Sequence, residues 1–169
     1  MPNPTDIVGL VALSKEGKPG AIDTWGDDGV NCYAFAVNCQ EPKSGKPNPG
    51  GAAPAAGWTA ETLRQGAEKD GLKPLKWAEN QQPNALDEGQ YLVAGYVSDK
   101  KDDHHWYRRD SKSGYWVHKP GASGVKNYGA KFTDILGTDL SKFDHKSVAP
   151  GKTYVFVDYF LCPQAGLRI

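Results

Sequence analysis

The chain has 169 residues, of which 38% are apolar and 24% charged, a balance that fits one globular domain spanning 1–169 with a real core. Lys+Arg and Asp+Glu are 20 each, so the basic excess of a nucleic-acid binder and the polybasic run of a membrane anchor are both missing. No apolar stretch approaches the roughly 18–20 residues of a membrane helix. The segment Met1-Pro2-Asn3-Pro4-Thr5-Asp6 carries no basic n-region, and no signal peptide is expected. Gly and Pro number 20 and 12, which favours short strands and loops over long helices.

In chain order, Ile7 to Leu13 is a short apolar segment, Lys15 to Gly20 a turn and Asp23 to Gly29 a polar loop. Val30 to Cys39 predicts the first helix, capped by Asn31, with Cys32, Phe35, Ala36 and Cys39 on one face. Residues 41–57 hold four Pro and four Gly and predict a loop. A second helix is expected over 59–69. Thr59 would be its N-cap, Glu61 would sit in its first turn, Leu63 and Ala67 would form its apolar stripe, and Asp70-Gly71 would stop it. Leu72 to Trp77 reads as extended. Gln90 to Val97 is a near-continuous apolar run suited to a buried strand. Ser98 to Asp103 is a charged turn, His104 to Arg109 a strand, and Tyr115 to Lys119 its hairpin partner across a loop at 110–114. Ala122 to Gly151 is weakly patterned, and Thr153 to Leu161 is the last strand. Helices followed by antiparallel strands make an α+β chain.

Three cysteines, Cys32, Cys39 and Cys162, cannot all pair within one chain, and a Cys39–Cys162 bridge is sterically open. No C-x-x-C spacing supports a structural zinc site. Cys32 is the nucleophile candidate. A thiol at a helix start feels the positive end of the helix and its free N–H groups, which can stabilise a thiolate and an oxyanion. A buried structural cysteine is the plain alternative. A thiolate hydrolase also needs a base and an orienting partner. Of the four histidines, His105 and His118 would lie nearly across from each other in the hairpin, so that His118 can fix the tautomer of His105. His104 would face the opposite side, beside Trp106 and Arg108. That alternation also argues against a metal held by Asp103, His104, His105 and His118, so no metal or other cofactor is expected. If His118 were not the orienting residue, Asp110 or Asn127 would be the substitutes.

The blocks Asn31-Cys32-Tyr33-Ala34-Phe35-Ala36, His105-Trp106-Tyr107-Arg108 and Tyr115-Trp116-Val117-His118-Lys119-Pro120-Gly121 resemble the NlpC-type branch of the papain-like cysteine hydrolases. The order Cys, His, His and the 13-residue step from His105 to His118 agree with that branch. The resemblance implies a papain-like fold, with a helix carrying Cys32 packed on an antiparallel sheet carrying the base. It implies a catalytic set of Cys32, His105 and His118, with Asn31 and Tyr33 lining the oxyanion side. It also implies amide hydrolysis in peptidoglycan stem peptides, as in bacterial effectors exported by contact-dependent secretion into a target periplasm, where an immunity protein would be a partner. Two other classes share the residues: a protein-modifying deamidase or acyltransferase on the same scaffold, and a non-catalytic aromatic-rich binding module. The module would bury Cys32 away from both histidines.

Overall fold

The computed structural model describes residues 30–39, 41–75, 90–109, 116–119, 121, 126–127, 152–163 and 165–169. The expected segments at 7–13, 15–20 and 23–29, the hairpin loop at 110–114 and most of 122–151 lie outside the described residues.

The described elements are α1 (Cys32–Ala36), α2 (Ala60–Asp70), β1 (Lys73–Pro74), β2 (Gln90–Ser98), β3 (His104–Arg109), β4 (Trp116–His118), β5 (Lys126–Asn127) and β6 (Tyr154–Pro163). The strands form one sheet in the order β1-β6-β2-β3-β4-β5, every adjacent pair antiparallel. The α+β arrangement expected from the sequence is present, with α1 packed on the sheet.

The apolar run of β2 becomes an inner strand between β6 and β3, buried along all but its first residue. Its side chains alternate between two cores. Tyr91, Val93 and Val97 face the helices together with Trp106, Phe160 and Cys162. Leu92, Ala94 and Tyr96 face the other way with Tyr107 and Tyr159. Gly95 lies where α2 comes closest. A Cβ there would sit 3.0 Å from both Leu63 and Trp106, so Leu63 can pack flat on the sheet only over a glycine.

α2 follows its sequence closely. Thr59 accepts from Thr62 N–H, Thr62 Oγ1 accepts from Thr59 N–H, and Gly71 closes the helix at φ 109°. Arg64 ties the helix to β6, with Nε 3.0 Å from Asp158 Oδ2 and Nη2 donating to Val157 O at 2.9 Å.

α1 differs from expectation. It stops at Ala36, not Cys39, and all five of its residues are buried, so it presents no amphipathic stripe. Its last carbonyls are taken by other parts of the chain. Arg108 Nη1 donates to Phe35 O at 2.9 Å, Tyr91 OH to Ala36 O at 2.8 Å, and Leu167 N–H to Val37 O at 2.9 Å. Asn38 then turns left-handed at φ 53°. The chain then leaves the α-helical pattern, with Asn38 N–H donating to Phe35 O and Cys39 N–H to Ala34 O.

Candidate active site

Asn31 caps α1 as expected. Its Oδ1 accepts from Ala34 N–H at 3.1 Å, and its Nδ2 donates to Pro47 O at 2.9 Å. Cys32 therefore starts the helix, and it lands at a particular place on the sheet. β4 pairs with β3 at Arg108↔Val117 and Arg109↔Trp116. Among the described residues no strand flanks the first half of β3 on that side. The start of α1 fills the place: the Cys32 thiol donates to His104 O at 3.9 Å, and the backbone N–H of Trp106 points at the sulfur. These are groups that a neighbouring strand would use. The sulfur lies at the edge of the strand, not over one sheet face. His104, His105 and His118 all open with Cys32 onto one cavity of about 420 Å³.

The two neighbouring histidines differ in what holds them. Trp106 Nε1–H donates to His104 Nδ1 at 3.2 Å, and an indole N–H can only donate. His104 therefore carries its proton on Nε2, which donates to Asn48 Oδ1 at 3.2 Å. Burial lowers its pKa to about 4 against a weaker upward pull from Asp103, so the ring is neutral at pH 7. Trp58 and Tyr33 pack edge-on against it, with ring centroids 4.6 and 6.2 Å away. Both nitrogens of His104 are committed to structure.

His105 Nε2 is hydrogen-bonded to His118 Nδ1 at 2.5 Å, with the ring planes at 84°. The contact is diagonal. The register of β3 on β4 sets His118 beside Tyr107, whose ring it stacks at 4.8 Å and 1°, and His105 reaches across from two residues away. The nearly opposite pairing expected from the hairpin is corrected by that register. Tyr107 and Tyr154 wall the His105 ring at 5.1 and 5.7 Å.

Burial pushes the Cys32 thiol up to about 12. The Asp103 carboxylate adds to the rise, while the N–H groups of Trp106, Tyr33 and Cys32 itself oppose it. The sequence suggested a thiol activated by a helix terminus. Five residues align few peptide dipoles, and desolvation outweighs them. The resting group at pH 7 is a thiol. Burial also works against the charge of Asp103, but Lys152 Nζ at 2.7 Å, Tyr154 OH at 2.8 Å and His104 N–H at 2.8 Å together hold its carboxyl below the usual value.

Tyr33 does not line the cavity with its side chain. It is fully buried, its hydroxyl donates to Asp70 Oδ2 at 2.7 Å, and its ring lies 5.0 Å from that of Trp106. Only its backbone N–H is directed at the sulfur. Asn31 borders the cavity, but its amide is spent on the cap and on Pro47. Cys39 and Cys162 are buried free thiols with no bridge between them, and Cys162 donates to Tyr91 OH at 3.1 Å. Asp110 and the side chain of Asn127 lie outside the described residues. Among the described residues no cluster of three metal-ligating side chains occurs, and no helix is long and apolar enough to cross a membrane.

Lys46, Asn48, Asp103 and Tyr154 also wall the cavity. Sequence reading passed over Lys46, Asn48 and Tyr154 as site residues. The available signal was Pro47-Asn48-Pro49, a stiff triplet inside an otherwise permissive loop. Comparisons with protein-family models, curated proteins and solved structures find no match to this chain.

Proposed function

We propose that this chain is a papain-like thiol hydrolase in which Cys32 attacks an amide carbonyl, His105 carries the proton and His118 positions His105. The observation that carries the reading is that Cys32, His105 and His118 line one cavity, with His105 Nε2 engaged by His118. With Nε2 engaged by His118, we assign the thiol proton to Nδ1 of His105. For Nδ1 to accept, the His105 proton must sit on Nε2 and be donated to His118 Nδ1, which fixes the His118 proton on Nε2. A binding module with Cys32 remote from the histidines is disfavoured by the shared cavity.

The steps follow from this arrangement. Sγ adds to the carbonyl carbon as its proton passes to His105 Nδ1, and the backbone N–H of Cys32, which at rest faces its own sulfur, would turn to the oxyanion. The imidazolium of His105 is stabilised by the His118 lone pair at Nε2–H. It then protonates the departing amine as the C–N bond breaks, leaving a thioester. Water adds to the thioester with its proton taken by His105, and the acid and free thiol are released.

By the resemblance noted above, the substrate class is the peptidoglycan stem peptide, and the setting is an effector acting in a target periplasm against an immunity protein. Digestion of purified peptidoglycan by wild type and Cys32→Ala, with products read by mass, tests the proposal. New peptide-bond products with wild type and none with the variant are expected. Identical products from the two proteins would overturn it.

A further inference from the structure

One part of the cavity wall comes from the loop at 41–57, and the stretch 47–50 of this loop is held firmly. Asn31 holds Pro47 O, His104 meets Asn48 at 3.2 Å, and Gly50 N–H donates to Asp70 Oδ2 at 2.8 Å. Lys69 Nζ donates to Gly50 O at 3.0 Å. Pro49 lies against Gly66 of α2 so closely that a Cβ on Gly66 would come within 2.5 Å of Pro49 O. The loop is therefore a fixed strap, and Lys46 is the side chain that it delivers to the cavity mouth.

The charges around the cavity do not cancel. Among the described residues that wall it, the Lys and Asp side chains are Lys46 and Asp103. Asp103 is paired with Lys152 at 2.7 Å, although its carboxylate still acts on the Cys32 thiol. Lys46 makes no hydrogen bond or ion pair among the described residues and is exposed. His104 is neutral at pH 7. Among the described wall residues Lys46 is thus the unpaired cation, in a chain whose formal net charge is zero. A lysine on a rigid strap is suited to fix an anionic group as a point charge.

We propose that Lys46 selects substrates that carry a free carboxylate close to the scissile amide. The inference rests on the reading of Cys32 as the nucleophile and adds to it the chemical class of the neighbouring group. Phosphate and sulfate are less suited than carboxylate, because no second cation or arginine fork among the described wall residues is there to share their charge.

The test uses two thiol reagents that differ in one group. Iodoacetate and iodoacetamide both form an S–C bond at Cys32 as the C–I bond breaks and iodide leaves; one carries a carboxylate and the other an amide. Labelling of the Cys32 peptide is followed by mass at pH 8, and the ratio of the two rates is divided by the same ratio for glutathione. The ratio in wild type should exceed that of glutathione about fivefold, the upper range of one exposed charge pair. It should persist in Lys46→Arg, fall to the glutathione value in Lys46→Gln, and shrink in 0.5 M salt, a condition of the assay, as screening requires. Labelling of Cys32 by both reagents with the same ratio in wild type and Lys46→Gln would overturn the role of Lys46 alone. Failure of either reagent to reach Cys32 in any variant would overturn both the role of Lys46 and the nucleophile reading beneath it.

Discussion

His104 offers the most direct test of how the site is divided. The residue is 5% exposed, its Nδ1 accepts from Trp106 and its Nε2 donates to Asn48. Protonation would put a second hydrogen between His104 Nδ1 and an indole that can only donate. The folded-state pKa is about 4 against an ordinary 6.5. Below pH 6.5 the unfolded chain takes up a proton that the folded chain refuses. The stability contributed by neutral burial is therefore complete above pH 6.5 and is lost as pH falls toward 4. One pKa unit is about 1.4 kcal/mol, so the full loss is about 3 kcal/mol, and about 2 kcal/mol of it falls between pH 7 and pH 5. Asp103, whose carboxyl stays ionised below the usual value, does not titrate in that window. The perturbation is His104→Gln, which removes the titration and keeps a polar side chain. Urea unfolding of both proteins at pH 7 and pH 5 reads the result. The variant should be the less stable protein at pH 7, by about 1–3 kcal/mol for the lost hydrogen bond. The gap should close by about 2 kcal/mol at pH 5, because only wild type pays the burial term. A gap of equal size at both pH values would refute a neutral, structurally committed His104 and reopen its claim to be the base.

Three further outcomes follow from the same geometry. On peptidoglycan, His105→Ala should lower turnover by about 10²- to 10⁴-fold. His118→Ala should lower it by less; full activity in that variant would move the orienting role to another residue. Cys32 should steepen the alkaline limb of stability: with a folded pKa of about 12 against 9.0, the unfolded chain releases its proton first, and stability falls by about 1.4 kcal/mol per pH unit above pH 9. Urea unfolding of Cys32→Ala at pH 8, 9 and 10 should lack that component, and parallel slopes for the two proteins would contradict a buried thiol. Finally, Gly66→Ala would stabilise an isolated helix by up to about 1 kcal/mol, but the clash with Pro49 should turn this into a loss of about 1–3 kcal/mol in thermal or urea unfolding. A stabilised variant would show that the strap is not seated on α2.

What could be read in advance was what local chemistry decides. Thr59, Glu61, Leu63, Ala67 and Gly71 form a helix by rules that act within a few residues, and α2 follows them. The apolar run at β2 and the alternation at β3 likewise separated Trp106 and Arg108 from His105 and Tyr107. The end of α1 was not legible, because Arg108, Tyr91 and Leu167 take its carbonyls from 55 or more positions away in sequence. The diagonal contact of His105 with His118 depended on the register of β4, which a hairpin loop of uncertain turn type leaves open. The strap was hidden for the same reason as α1. Pro47-Asn48-Pro49 looks like any stiff loop until Gly66 and Asn31 give it a seat.

The buried thiol changes what the site is expected to do at rest. A stored thiolate–imidazolium pair would place two ions in a cavity where the sulfur is nearly inaccessible to water, and desolvation makes that costly. The thiol instead donates to His104 O, a carbonyl that would repel a thiolate. Asp103, held ionised by Lys152 and Tyr154, opposes the thiolate further. The arrangement thus keeps the sulfur protonated at rest. On the proposed reading, nucleophile and base are both neutral at rest, and the charge pair forms only as Sγ adds to the carbonyl. A thiol reagent should then report a rate that climbs through pH 8 to 10 without the plateau near neutrality that a preformed pair produces. A plateau between pH 6 and 7 in Cys32 labelling would show that the pair exists before substrate arrives, and that the field of Asp103 does not govern it.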